Sequence, residues 1–139
     1  MTSLIGNAPV DGVDVAALLG IPISAEQERA VQAPLKPCAV IAGAGTGKTT
    51  VMAARVVWLV ASRLVSPEEI LGLTFTNKAT AELSERIESN LTRVGLLTSE
   101  QPRPTVATYD SFAGTLVNDY GAWDLSLIHI SEPTRRYAI

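Results

Sequence analysis

One run constrains this chain more than any other: Ala42-Gly43-Ala44-Gly45-Thr46-Gly47-Lys48-Thr49. It follows an apolar stretch, Cys38 to Ile41, and opens an apolar helical pattern from Thr50 to Leu64, so it stands where a strand hands over to a helix. Residues without large side chains let the backbone fold back sharply, and the N–H groups of such a turn converge at the positive end of the following helix. That arrangement holds phosphate. The pattern is G-x-x-x-x-G-K-[ST] with Ala42 in the first position and Gly43 directly after it, and it assigns Lys48 to the β- and γ-phosphates and the Thr49 hydroxyl to Mg²⁺. A glycine-rich turn before a lysine can also be a plain strand-to-helix connection. Three alternating glycines, the Lys-Thr pair and the flanking segments together favour phosphate, with Ala42, Gly43, Ala44, Gly45, Thr46, Gly47, Lys48, Thr49 and Thr50 as the binding set.

With 139 residues, 47% of them hydrophobic, the chain is one domain's worth and can bury a core. Its net charge of −3 announces no basic surface for nucleic acid, although a net value says nothing about a local channel. Cys38 is the lone cysteine, which excludes an intramolecular disulfide and a Cys-rich metal site; it is expected as a small buried side chain opening the first strand. Met1 to Gly20 lacks the basic start and continuous apolar core of a signal peptide. The longest apolar run, Val51 to Val60, is interrupted by Arg55 and falls short of the about 20 residues that span a bilayer. The expectation is a soluble, cytoplasmic protein with no membrane partner.

Residues 1–21 read as a flexible lead-in with one short helix, Val13 to Leu19. Ser24 and Gln27 have the spacing of a capping box, starting a helix that runs to about Gln32. Pro34 to Pro37 breaks the chain before the first strand. The helix after the glycine-rich loop is apolar nearly all round, so it should be covered on more than one side, with Trp58 in the core. Pro67, Glu68 and Glu69 suit a helical first turn or a tight connection. A second strand, Ile70 to Thr74, precedes a helix whose Ala79, Leu83, Ile87 and Leu91 share one face, while Glu82 and Arg86, four apart, are expected to pair on its solvated side. Gly95 to Pro104 reads as a loop, Thr105 to Thr108 as a third strand and Ser111 to Tyr120 as a helix. Strands alternating with helices predict an α/β fold of parallel βαβ units, a sheet flanked by helices. Ligands of such sheets bind outside the carboxyl ends of the strands, where the loop, Thr74 to Lys78 and Thr108 to Phe112 all fall.

Together these segments resemble the start of the UvrD/Rep/PcrA-type superfamily 1 DNA helicases, and within them the actinobacterial AdnB-like relatives. The likeness covers roughly Ile21 to Gly121. Ile23 to Val31 is similar to the family's Q motif, whose glutamine recognises adenine; this adds to Gln27 a role beyond its cap. Ala42 to Thr49 is similar to motif I. Leu73 to Ala79, with Glu82 and Leu83, looks like motif Ia, which touches single-stranded DNA: Phe75 offers a stacking face, and Thr74, Thr76 and Asn77 offer donors. Without the surrounding block, Phe75 would read as a core aromatic at a strand end. Thr108 to Phe112 resembles motif Ib, where the family commonly has histidine at the position of Asp110. An aspartate repels a phosphate backbone, which leaves Tyr109 and Ser111 as the candidates there.

The resemblance implies a P-loop NTPase fold, a partial RecA-like domain over residues 22–124, with ATP and Mg²⁺ as cofactors, Lys48 and Thr49 as the catalytic pair and Thr49 as the metal ligand. It implies 3′ to 5′ movement along single-stranded DNA in repair or recombination, with a helicase-nuclease subunit as a further partner. The family's Asp-Glu motif and the arginines of its second RecA-like domain do not follow in this sequence. Since phosphoryl transfer is almost wholly positioning and charge stabilisation, the chain alone is expected to bind nucleotide without turning it over. Residues 125–139 look like a translated sequencing-library adapter, so His129 is expected to carry no function; a strand from Leu125 to Ile130 is the other reading. Two rivals share the phosphate loop: another P-loop NTPase such as a small-molecule kinase, and a nucleotide-binding module without catalysis. The kinase has no reason to carry the Gln27 and Thr74 to Lys78 blocks, and stimulation of ATPase by single-stranded DNA separates all three readings.

Overall fold

The computed structural model describes residues 12–45 and 47–121. Five α-helices and two strands follow in the order α1 (Val15–Leu19), α2 (Ala25–Val31), α3 (Lys48–Ala61), a 3-10 turn (Pro67–Glu69), β1 (Leu71–Thr74), α4 (Asn77–Arg93), β2 (Thr105–Thr108) and α5 (Tyr109–Tyr120). The strands pair in parallel, Leu71 opposite Thr105 through Thr74 opposite Thr108. A parallel pair needs a crossover, and α4 supplies it. Both strand tips therefore end side by side.

Helix α3 is the hub, touching α1, α2 and α4. That is why it is apolar nearly all round: Ala53, Ala54 and Val57 are wholly buried, and Val56 and Leu59 nearly so. Trp58, expected in the core, is half-buried and packs on its margin. Leu83, Ile87 and Leu91 recur every fourth residue along α4 and all face inward, against α3 and over the strands. Inside the expected lead-in, α1 is an ordered helix: Asp14 caps it by accepting from the Ala17 N–H at 3.0 Å, and Val15 and Leu19 join the core. Residues 1–11 and the expected tail at 125–139 lie outside the described residues.

The expected strand Cys38 to Ile41 does not form. These residues run as an exposed loop, with Ile41 98% and Val40 60% exposed, and Cys38 is exposed rather than buried. The reason is the absence of a neighbour: β1 and β2 pair only with each other, and an apolar run becomes a strand only when another strand accepts its N–H and C=O groups. The sheet is thus two-stranded among the described residues, not three-stranded.

Helix α3 begins at Lys48, two residues before the apolar pattern suggested, and ends at Ala61 instead of Leu64. Its end is a left-handed cap: Leu64 N–H donates to Leu59 O and Arg63 N–H to Val60 O, both at 3.0 Å. Arg63 holds φ +57° to make that turn, in a conformation that favours glycine. Helix α4 closes the same way with Gly95 in the equivalent place at φ +73°, Leu96 bonding back to Leu91 at 2.9 Å. Arg63→Gly is expected to stabilise the fold by about 0.5–1 kcal/mol, measured as a higher urea midpoint at unchanged slope.

Candidate functional site

Two short segments and one helix build the site. The capping box of α2 is formed on both sides: Ser24 Oγ accepts from the Gln27 N–H at 3.2 Å, and Gln27 Oε1 accepts from the Ser24 N–H at 2.9 Å. The cap fixes the amide's orientation. Its oxygen faces Ser24, and its nitrogen lies 3.2 Å from where a Cβ on Gly47 would stand. Gln27 thus makes its cap while its Nε2 end is directed at the glycine-rich loop.

The other end of α2 is held from α3. Arg55 Nη1 donates to the carbonyls of Ala30 (3.3 Å), Val31 (2.9 Å) and Ala33 (2.7 Å), and Nη2 to Pro34 O (3.4 Å). A cation at the carbonyl end of a helix is favoured by the helix dipole as well as by these bonds, worth about 2 kcal/mol together. This clamp sets α2, and with it Gln27, against the first turns of α3. The sequence carried a signal for it, since a lone arginine inside the apolar run Val51 to Val60 needs an acceptor.

In the loop, Gly45 (φ +75°) and Gly47 (φ +78°, ψ 32°) both take the left-handed conformation, and a side chain at Gly47 would also press on Gln27. Helices α1, α2, α4 and α5 each have a side-chain cap, from Asp14, Ser24, Thr76 and Thr108. Helix α3 has none: its N-cap is Gly47, and its first turn carries no acid. First-turn N–H groups without a side-chain acceptor, backed by Lys48 and reached through a glycine turn, are an arrangement chemically suited to an anion. Thr46 lies outside the described residues. Lys48 borders two cavities. One, about 570 Å³, lies between α2 and α3 and has Ala30, Val40, Val51 and Met52 as apolar walls with Gln27 and Arg55 at its polar edge. The other, about 340 Å³, lies over Gly45, Gly47, Thr49 and Thr50.

For a triphosphate the fit is good, because the donors are backbone N–H groups and one lysine. For Mg²⁺, Thr49 offers one oxygen, and no cluster of three His, Cys, Asp or Glu side chains stands among the described residues. The ion would take its remaining ligands from phosphate and water, as Mg²⁺ usually does.

The strand tips make a second surface. Phe75, just past β1, is 88% exposed, and Tyr109, just past β2, is 49% exposed; their ring centres lie 5.0 Å apart with planes tilted by 34°. The core reading of Phe75 is thereby excluded, and the parallel register brings together two aromatics 34 residues apart in sequence. Thr76 caps α4 by accepting from the Ala79 N–H at 3.1 Å, and Thr74 Oγ1 bonds to Thr76 O at 3.2 Å and to the Thr80 hydroxyl, so both threonines also shape the turn. Asn77 and Ser111 are exposed in the first turns of α4 and α5. Asp110 sits in the first turn of α5, where a negative charge suits the dipole.

Glu82 and Arg86 do not pair as expected. Glu82 lies 3.9 Å from Lys78, one turn earlier, and Arg86 Nη1 donates to the Thr50 hydroxyl of α3 at 2.8 Å. Arg86 therefore borders the smaller cavity, and sequence spacing, which sees only partners on the same helix, missed it.

The UvrD/REP helicase N-terminal domain family matches residues 23–131, and the chain belongs to that family. It is 37% identical over 97 residues to a protein of Rickettsia conorii described as "Probable DNA helicase II homolog", a stretch covering 70% of this chain and 14% of that protein. It is 48% identical over 65 residues (47% of this chain, 8% of the relative) to the ATP-dependent DNA helicase UvrD1 of Mycobacterium leprae. To DNA helicase II of Escherichia coli it is 45% identical over 75 residues, 54% of this chain and 10% of that protein. The chain thus spans a small part of the length of these relatives. No helix among the described residues is long and apolar enough to cross a membrane.

Arg55→Ala is expected to destabilise the fold by about 2–3 kcal/mol, because four carbonyl contacts are lost at a half-buried position. Chemical denaturation measures the loss, and Arg55→Lys should recover only part of it.

Proposed function

We propose that this chain is the N-terminal ATP-binding portion of an ATP-dependent DNA helicase, a partial RecA-like P-loop domain. The observation that carries the reading is the start of α3, which lacks a side-chain cap, follows glycines at positive φ and abuts an apolar cavity with an amide at its edge. The triphosphate would lie on the N–H groups of residues 47–50 with Lys48 on its β- and γ-phosphates, and the base would enter the larger cavity beside Gln27 Nε2. Thr49 would help to hold Mg²⁺, which would supply charge neutralisation to the phosphates. The family membership and the helicase relatives support this reading over a kinase or a non-catalytic module.

Single-stranded DNA would run over the tips of β1 and β2. Phe75 and Tyr109 present faces on which unpaired bases stack, a contact that tolerates any sequence, and Thr74, Thr76, Asn77 and Ser111 line the same edge. In the full-length protein, ATP hydrolysis would drive 3′ to 5′ movement and unwinding in repair or recombination, in the cytoplasm, with a helicase-nuclease partner on the AdnB-like resemblance. The chain by itself would bind nucleotide without turnover, since the acidic motif and the second-domain arginines belong to later parts of such proteins. Residues 125–139 would be adapter-derived, although the family match extends to residue 131; genomic sequence beyond codon 124 that departs from them and runs into an Asp-Glu motif would bear this out, and genomic sequence identical to them would refute it.

In the full-length protein, single-stranded DNA is expected to stimulate ATP hydrolysis, and Lys48→Ala to lower the stimulated rate by about a hundredfold or more. A steady-state ATPase assay with and without oligonucleotide measures both. Undiminished stimulation in the variant would remove Lys48 from the mechanism, and phosphate transfer to a small-molecule acceptor would favour a kinase.

A further inference from the structure

Arg86 is the one arginine that lines the smaller cavity, over Gly45 to Thr50, among the described residues. Its nearest same-helix carboxylate at the usual spacing, Glu82, is engaged by Lys78, and Glu88, on the other side, is engaged by Arg103. No ion pair holds Arg86 among the described residues. One Nη1 hydrogen goes to Thr50 Oγ1 across the α3–α4 interface, a neutral acceptor that leaves the positive charge unmatched. A guanidinium keeps its charge under all ordinary conditions and carries five donors in a planar fork suited to phosphate oxygens. The cavity beside it, about 340 Å³, has Gly45, Gly47, Lys48 and Thr49 on one wall and Glu82 and Arg86 on the other, and it opens to solvent. An unmatched cation facing uncapped helix N–H groups and a lysine concentrates positive potential at one point.

We propose that Arg86 is a phosphate ligand of the nucleotide site, engaging the outer end of a bound nucleoside triphosphate, with Thr50 as its resting dock. The proposal rests on the nucleotide reading above and adds to it a residue from the helix that starts at the strand tips. Arg86 lies nine residues along α4 from Asn77, about 14 Å down the axis. Loss of its contact would be felt by the terminal phosphate first, so the residue makes the site distinguish triphosphate from diphosphate. Glu82 on the same wall lies 3.9 Å from Lys78 and forms no ion pair with Arg86, whose fork keeps further donors beyond the one on Thr50.

The test titrates this chain with fluorescent N-methylanthraniloyl-ATP and the corresponding ADP analogue in Mg²⁺, comparing the unaltered sequence with Arg86→Ala and Arg86→Lys. Arg86→Ala is expected to weaken the triphosphate about tenfold and the diphosphate less than twofold, with Arg86→Lys between, because lysine keeps the charge and loses the fork. Circular dichroism and the thermal midpoint establish that each variant is folded; should the alanine variant not fold, the lysine variant carries the same comparison. Equal loss for both nucleotides, or no loss for either, in a folded variant overturns the proposal and leaves the nucleotide reading standing. Failure of the unaltered chain to bind either analogue overturns both.

Discussion

The guanidinium of Arg55, seated on the last carbonyls of α2, is the contact through which the rest of this molecule is arranged. A helix of seven residues has little stability of its own, because nucleation costs more than so few hydrogen bonds return. Two devices at its ends make α2 persist: the reciprocal Ser24–Gln27 cap at the start and the cation from α3 at the finish. The second also ties it to α3 in one orientation. Since Gln27 belongs to the first device and the glycine-rich loop to the start of α3, the amide and the loop meet as a consequence of how both helices are held.

Against that background the treatment of α3 stands out. Four other helices satisfy their first N–H groups with a side chain, at about 1 kcal/mol each, and the longest-buried helix of the fold forgoes it. The N-cap, Gly47, has no side chain to offer, and its positive φ together with the Gln27 amide, 3.2 Å from where a Cβ would stand, disfavours any residue that has one. On the proposed reading, local stability is given up where an anion would bind, which is how natural proteins depart from consistent local rules at their working sites. At the strand tips, likewise, a large aromatic, Phe75, stays 88% exposed instead of joining the core.

Much of this was readable from the chain. The Ser24–Gln27 spacing, the four-residue period of Leu83, Ile87 and Leu91, and the glycines of the loop are local signals, and each was realised because its cause lies within a few residues. The strand foreseen at 38–41 failed because ladder formation depends on a neighbour, and an apolar run alone cannot supply one. Arg55 and Arg86 escaped notice for a related reason: their acceptors lie 21 to 36 residues away in sequence. The pairing of Phe75 with Tyr109 likewise depends on the register of two strands and has no local mark.

The central claim is that the exposed N–H groups at the start of α3 are reserved for a polyphosphate. Amide chemical shifts of the labelled chain test it most directly, recorded with Mg²⁺-ATP and, separately, with adenosine at equal concentration. The account predicts that the amides of Gly47, Lys48, Thr49 and Thr50 move with ATP and stay in place with adenosine. Shifts confined to other regions, or equal shifts with both compounds, would contradict it.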